Sequence, residues 1–241
     1  MKRAAVLAGL LLSAAMPVRA ADGDGGWKFE LTPYLWMAGL DADVTVQGNT
    51  VHVEQSFSDL LDSVSAGAML LGIVQYNRLV GLAQLDWISM DTNNLDPRPA
   101  AGRLESTFFM ANLGAGYQFA GLLPRTTVDV LVGARIVSLD SKVTPTGAAS
   151  VEKTVTLADP VLFVRPSFRL LSWLRFNPTV SIGGLGSSDL TYELQPTLQF
   201  QILDNVAARV GYRRVHYKYS GSLVTFDGSL SGFLAGVGVT F

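Results

Sequence analysis

The chain has 241 residues, 49% of them hydrophobic, with 18 lysines and arginines against 20 aspartates and glutamates and no cysteine. The charge balance excludes a strongly basic nucleic-acid surface, and the lack of cysteine excludes a disulfide framework or a thiolate metal site. After the first 20 residues there is no run of 18 apolar residues, so no transmembrane helix is expected.

Lys2 and Arg3 precede an apolar core from Val6 to Leu12, and Val18-Arg19-Ala20 has the small-residue spacing of a signal-peptidase site. This predicts a secretory signal over 1–20, with cleavage after Ala21 as the near alternative, then a loose polar leader over 21–26 and a single domain over 27–241. Loss of Lys2, Arg3 and Arg19 leaves 15 basic against 20 acidic residues, a net charge of −5.

From Trp27 the pattern has period two. Trp27, Phe29, Leu31, Pro33, Leu35 and Met37 share one face, and Lys28, Glu30, Thr32, Tyr34 and Trp36 the other. Pro33 lacks an amide hydrogen and predicts a bulge or a locally open ladder. Leu40 to Glu54 predicts a hairpin turning at Gln47-Gly-Asn49. Ser56 and Asp59 have capping-box spacing ahead of a short helix, Phe57 to Val64, whose apolar residues Phe57, Leu60 and Leu61 can enter the barrel mouth as a lid or lie on lipid at the rim.

The second strand, Ala66 to Tyr76, is apolar on both faces and its phase stays open. Asn77-Arg78 turns it into a third, to Met90, with Ala83, Leu85 and Trp87 outward and Gln84 and Asp86 inward. Asp91 to Ala101 reads as a loop. A fourth strand, Leu104 to Phe119, alternates apolar residues with Asn112, Gly114, Gly116 and Gln118, and a fifth sets Val128 to Ile136 against Asp129, Gly133 and Arg135. Ser141 to Thr154 reads as a loop. The sixth and seventh strands place Arg165, Arg169 and Arg175 on the polar face. The eighth, Leu190 to Gln201, alternates without a break and holds Glu193 inward. The ninth places Arg209 and Arg213 inward, and the tenth ends on Phe233, Ala235, Val237, Val239 and Phe241, all of one parity.

These segments predict an all-β chain: one antiparallel up-and-down transmembrane β-barrel of ten strands, with eight or twelve if one hairpin is split or merged, and a short helix in the first extracellular loop. An even count puts both termini on the periplasmic side, where the short connections also fall. Trp27, Tyr117, Phe119, Trp173, Phe200 and Phe241 gather at the strand ends on that side, as an interfacial girdle requires. A soluble barrel with the faces reversed, apolar in and charged out, is the competing reading.

The predicted lumen list is Glu30, Tyr34, Asp86, Asp129, Arg135, Arg165, Arg169, Arg175, Glu193, Arg209 and Arg213. Buried charges must be paired. The set therefore suits a salt-bridged plug, or a small channel or cavity for an anionic or polar solute, since arginine outnumbers carboxylate. An enzyme is the weaker reading: the sequence marks no catalytic motif, and a rim hydrolase would have to be built from His216 and Asp227 with a nearby serine. No metal or cofactor site is expected, because Asp41, Asp43, Asp59 and Asp62 lack calcium-loop spacing.

Leu31-Thr-Pro-Tyr-Leu-Trp-Met-Ala-Gly-Leu40 with Asp43-Val44, then Phe57-Ser-Asp-Leu-Leu61 and Ala68-Met-Leu70, resemble a mostly uncharacterised family of Gram-negative outer-membrane β-barrels. That resemblance implies an outer-membrane location, with membrane lipids as surroundings. It also implies barrel assembly machinery and periplasmic chaperones as partners during biogenesis, with the terminal Phe241 as the assembly signal. It implies no catalytic residues.

Overall fold

Alternating β-branched and aromatic residues make almost every described segment a strand. The computed structural model describes residues 26–46, 48–92, 102–120, 124–145, 149–221 and 224–241. The predicted signal and most of the leader lie outside these residues, as does 93–101 of the expected second extracellular loop. In chain order the elements are β1 (Trp27–Val46), β2 (Asn49–Gln55), α1 (Phe57–Ser63), β3 (Val64–Tyr76), β4 (Leu79–Thr92), β5 (Gly102–Ala120) and β6 (Thr126–Pro145). They continue as β7 (Val151–Arg169), β8 (Leu174–Phe176), β9 (Thr179–Gly183), β10 (Leu190–Gln195), β11 (Thr197–Leu203), β12 (Val206–Ser220) and β13 (Val224–Thr240).

Every pairing is antiparallel, and the first strand closes on the last. The β1–β13 register runs from Glu30 opposite Thr240 to Val46 opposite Val224. At the C-terminus, the Phe241 amide donates to the Phe29 carbonyl at 2.8 Å and the Phe29 amide donates back at 3.1 Å. Two of the lines around the ring are interrupted. β8 and β9 flank Asn177-Pro178 and both pair β7, and β10 and β11 flank Pro196 and both pair β12. A proline has no amide hydrogen for the ladder, so each break falls at one. With each broken pair taken as one line and β2 as a flap folded back on the outer part of β1, ten lines close the barrel. Pro33 stays inside β1, but the ladder to β13 skips positions 32 and 33 while the register holds. This is the local opening expected there.

The faces are those of a barrel with its apolar side outward. Val132 is 68% exposed and Phe233 67%, whereas the inward Arg135, Arg213 and Asp86 are fully buried. The soluble reading required the reverse. Outward aromatic rings meet near the end where Trp27 and Phe241 lie: Trp27 and Tyr76 at 4.9 Å, Tyr117 and Phe119 at 5.5 Å, and Trp173 and Phe200 at 6.1 Å.

Three local expectations change. The loop read over Ser141 to Thr154 is mostly strand, because β6 continues to Pro145 and β7 begins at Val151, with Val143 opposite Val151. Its polar composition suits an antiparallel extension bathed by water on its outer face. The helix ends one residue earlier than predicted, at Ser63, and its capping box is complete: the Asp59 amide donates to Ser56 Oγ and the Ser56 amide to Asp59 Oδ2 at 3.0 Å. None of its residues is buried; Phe57 and Leu60 are half-buried and Leu61 exposed, so α1 rests against β1 and β4 and does not insert as a lid. The open phase of β3 is settled by register. Leu71 lies opposite Thr32 and Gln84 and is buried, so Met69 and Ile73 also face inward and Leu70 and Val74 outward.

Close strand approach rests on particular glycines. A Cβ on Gly133 would stand 1.8 Å from the Leu113 carbonyl oxygen, while one on Gly72 would meet nothing nearer than 3.7 Å. Gly133→Ala is expected to cost about 1–3 kcal/mol through forced backbone displacement. Gly72→Ala should stay within about 0.5 kcal/mol of wild type. Denaturant unfolding of the detergent-refolded protein, followed by tryptophan fluorescence, separates the two.

Candidate functional site: the charged lumen

All eleven predicted lumen residues lie on inward-facing positions of the strands, and the structure sorts them into two groups by height. Glu30, Asp129, Arg165, Arg169, Arg175 and Arg209 lie toward the end where Trp27 and Phe241 lie. Tyr34, Asp86, Arg135, Glu193 and Arg213 meet at mid-height.

The mid-height group is one continuous network. Glu193 on β10 takes Arg135 of β6 on Oε2 and Arg213 of β12 on Oε1, the latter at 2.7 Å. Arg213 then donates to Asp86 of β4 at 2.8 Å and to Tyr34 OH at 3.3 Å. Tyr34 donates to Asp86 at 2.6 Å and accepts from Gln84 at 2.9 Å. Arg135 also donates to Asn112 Oδ1 and Ser181 Oγ, each at 2.7 Å, and to Thr191 Oγ1 at 2.8 Å. The Arg213 guanidinium lies 4.4 Å from the centroid of Trp36. Two arginines and two carboxylates leave this chain of contacts neutral, and none of the four is more than 1% exposed. An ion pair removed from water holds only when its remaining donors and acceptors are met. Here the hydroxyls and amides of the neighbouring strands meet most of them; Arg213 NH2 has no protein partner.

The inward row is less polar than the sequence reading proposed. Leu71, Val80, Leu82, Leu131, Val161 and Phe163 form one buried cluster inside the barrel, and Trp36, Met110, Val215, Tyr217 and Leu234 form a second. These fill the lumen on either side of the ion pairs. Asp159 was also missed. It is 1% exposed, stands opposite Arg135 across β6–β7, and accepts from the Ser188 amide at 2.8 Å. Extending the sixth-strand alternation backward from Arg165 by twos would have placed it inward.

Nearer the terminal end, Arg209 pairs with Glu30 and donates to Gln199 at 3.0 Å, and Arg165 pairs with Asp129 at 3.5 Å. Arg169 and Arg175 stand opposite each other at the edge of the barrel. Between the two levels lies a cavity of about 20 Å³ bordered by Gln84, Phe163, Arg165, Asn177, Gln195 and Arg209.

The His216 and Asp227 pair lies on the outward face, away from the lumen. His216 Nε2 is 3.6 Å from Asp227, its Nδ1 is 3.1 Å from Ser229 Oγ, and its ring stacks on Tyr192 at 4.7 Å. Ser229 Oγ also accepts from Arg214 at 3.1 Å, and Asp227 also pairs with Lys218 at 3.8 Å. The other histidine, His52, sits on the β1–β2 flap at 2.9 Å from Asp43, whose hydrogen bond raises its pKa from the ordinary histidine value. No cluster of metal-ligating side chains occurs among the described residues.

The closed ring with buried charge and exposed apolar rows is the fold of Gram-negative outer-membrane β-barrels. Among solved structures, the outer-membrane protease OmpT from Escherichia coli matches with a TM-score of 0.59 at 10% identity, over 93% of this chain and 99% of that one. The translocator domain of the autotransporter NalP from Neisseria meningitidis matches at 0.45 and 11% identity, over 92% and 90%. Ail of Yersinia pestis, solved with a heparin analogue, matches at 0.39 and 13%, over 90% and 100%. At such identities the likeness concerns the fold alone. No family model and no curated protein matches the chain.

Removing Glu193 leaves Arg135 and Arg213 both short of their shared partner. Glu193→Ala is expected to destabilise the barrel by about 3–5 kcal/mol. Arg103→Gln, at the exposed pair with Asp91, should cost under about 1 kcal/mol. Equilibrium unfolding in detergent measures both.

Proposed function

We propose that the chain is a sealed structural barrel of the bacterial outer membrane, with its outward apolar rows against lipid and both termini in the periplasm. One observation carries this reading. The Arg135–Glu193–Arg213–Asp86 chain links β6, β10, β12 and β4 across the lumen, and all four members are shut off from water. The cavity beside it has room for about one water molecule, too little for a solute path. Two apolar clusters pack inside the barrel beside this layer. The sidedness rests on the connections. Asn77-Arg78 and Asp204-Asn205 are two-residue turns at the end where Trp27 and Phe241 lie, and short turns belong on the periplasmic side. On this reading Phe241 presents the strand recognised by the assembly machinery, and periplasmic chaperones carry the unfolded chain to it. A small-solute channel is disfavoured by the same contacts.

Planar bilayers test the point. Wild-type protein is expected to give no stepwise conductance, and Arg169→Ala or Arg209→Ala should leave it silent, since neither forms the central layer. Discrete channel openings from wild-type protein, altered by either substitution, would replace the plug with a pore.

A second reading is favoured by the outward cluster of Ser229, His216 and Asp227. A serine hydroxyl bonded to an imidazole that also faces a carboxylate is the arrangement that activates a nucleophile. Its strands β12 and β13 also border an apolar outward groove that spans β1, β8 and β11 and is lined by Met37, Phe176, Leu198, Val210 and Phe233. This would make the protein a hydrolase of lipid esters at the outer rim. Release of fatty acid from mixed micelles, lost in both Ser229→Ala and His216→Ala with the fold retained, would establish it. Equal background release from all three proteins would dismiss it.

A further inference from the structure

The lower lumen holds more positive charge than its own carboxylates can neutralise. Arg165, Arg169, Arg175 and Arg209 face inward below the central layer, against Glu30 and Asp129. Both carboxylates are already engaged: Glu30 with Arg209, and Asp129 with Arg165 and with the Gln118 amide at 2.8 Å. Arg165 lies within Coulombic range of Arg209, and Arg175 of Arg169 and Arg209. Two guanidinium charges are thus in excess, half-buried Arg175 and exposed Arg169 at the mouth, and like charges repel more strongly there the further they are withdrawn from water.

The space to relieve this is present. Arg165 and Arg209 both border the cavity of about 20 Å³. Arg209 is 8% exposed, and its Nε has no protein partner; Thr197, which also borders the cavity, has an unpartnered Oγ1. Toward the terminal end Arg175 is half-buried and Arg169 exposed, so the cations form a graded series from the mouth to the blind end. Leu71, Leu82 and Phe163 wall the cavity, and above it the ion-paired layer stops any onward path.

We propose that this vestibule binds a small inorganic anion of halide size from the periplasmic side, held between Arg165 and Arg209 and drawn in past Arg169 and Arg175. The anion accepts from the unmet Arg209 Nε and Thr197 Oγ1 and offsets the two arginines nearer the mouth that have no carboxylate of their own, and its size is set by a cavity that admits about one water-sized body. The site is distinct from the central plug, because none of its four arginines contributes to the Glu193 layer.

Full-length protein refolded in detergent tests the inference, with sodium bromide replacing sodium gluconate at constant ionic strength so that screening is unchanged. The thermal midpoint should rise with bromide and saturate. Arg165→Gln should abolish the saturable rise, whereas Arg103→Gln on the outer hairpin should keep it. Should Arg165→Gln fail to fold, Asp129→Asn decides: it removes a competing carboxylate and should bring saturation at several-fold lower bromide. A midpoint that does not respond, or a rise that fails to saturate in wild type, overturns the proposal. So does saturation that is unchanged in the Arg165 and Asp129 variants. Conductance measurements bear on the plug separately, so failure of one reading is distinguishable from failure of the other.

Discussion

The pairing of the first strand with the last governs everything else in this molecule. An isolated sheet edge exposes a row of amides and carbonyls, and in hydrocarbon each unmet group costs several kcal/mol. The pairing of β1 with β13 closes the ring among the described residues, although the β1–β3 ladder runs only from Trp27–Tyr76 to Pro33–Leu70. The outward side chains are then free to be apolar without exposing backbone polarity to lipid. Even the proline breaks respect this rule. At Pro196 and at Asn177-Pro178 the neighbouring amides find partners past the break, as where the Asn177 amide donates to the Thr197 carbonyl at 2.8 Å and the Tyr212 amide to the Pro196 carbonyl at 3.1 Å.

Closure creates a second problem, which is what to put inside. A ring of ten strands encloses space that side chains must fill or leave to water. This chain fills it in layers. Two apolar clusters occupy part of it, and the Arg135–Glu193–Arg213–Asp86 contacts tie four separate strands together through the centre. Burying four charges is costly by itself. The layer holds because its members neutralise one another and because Asn112, Ser181, Thr191, Tyr34 and Gln84 take most of the remaining hydrogen bonds. Such geometry fixes register as well as energy. A one-residue slip of β10 would turn Glu193 to the outside, leaving Arg135 without a carboxylate and Arg213 with Asp86 alone.

The charge that the central layer does not use is displaced to one end. Inward arginines collect toward the terminal side, while the outward face above the apolar band carries mixed charges such as Asp41, Asp43, Asp227 and Lys218. The barrel is therefore polar at both rims by different means, lined with cations within the lower mouth and ringed with paired side chains around the upper one. The outer hairpins extend this polar zone. The strands β5, β6 and β7 are 19 or 20 residues long, about twice what a bilayer crossing needs.

Period-two alternation favoured ten strands, set the face of most of them and picked out the inward charges other than Asp159, because register in a barrel cannot change without turning every side chain over. It also located the helix through Ser56 and Asp59, and the open ladder at Pro33. It failed where alternation was masked. β3 is apolar on both faces, so only its partners could say that Leu71 points in. The Ser141 to Thr154 region is polar on both faces and reads as loop until its mutual pairing is seen. Which inward arginine meets which carboxylate depends on strand stagger around a closed ring, a quantity that no single strand carries. For that reason the sequence determined that Glu193, Arg135, Arg213 and Asp86 share an interior, while only the tertiary structure decided that they meet at one height and close it.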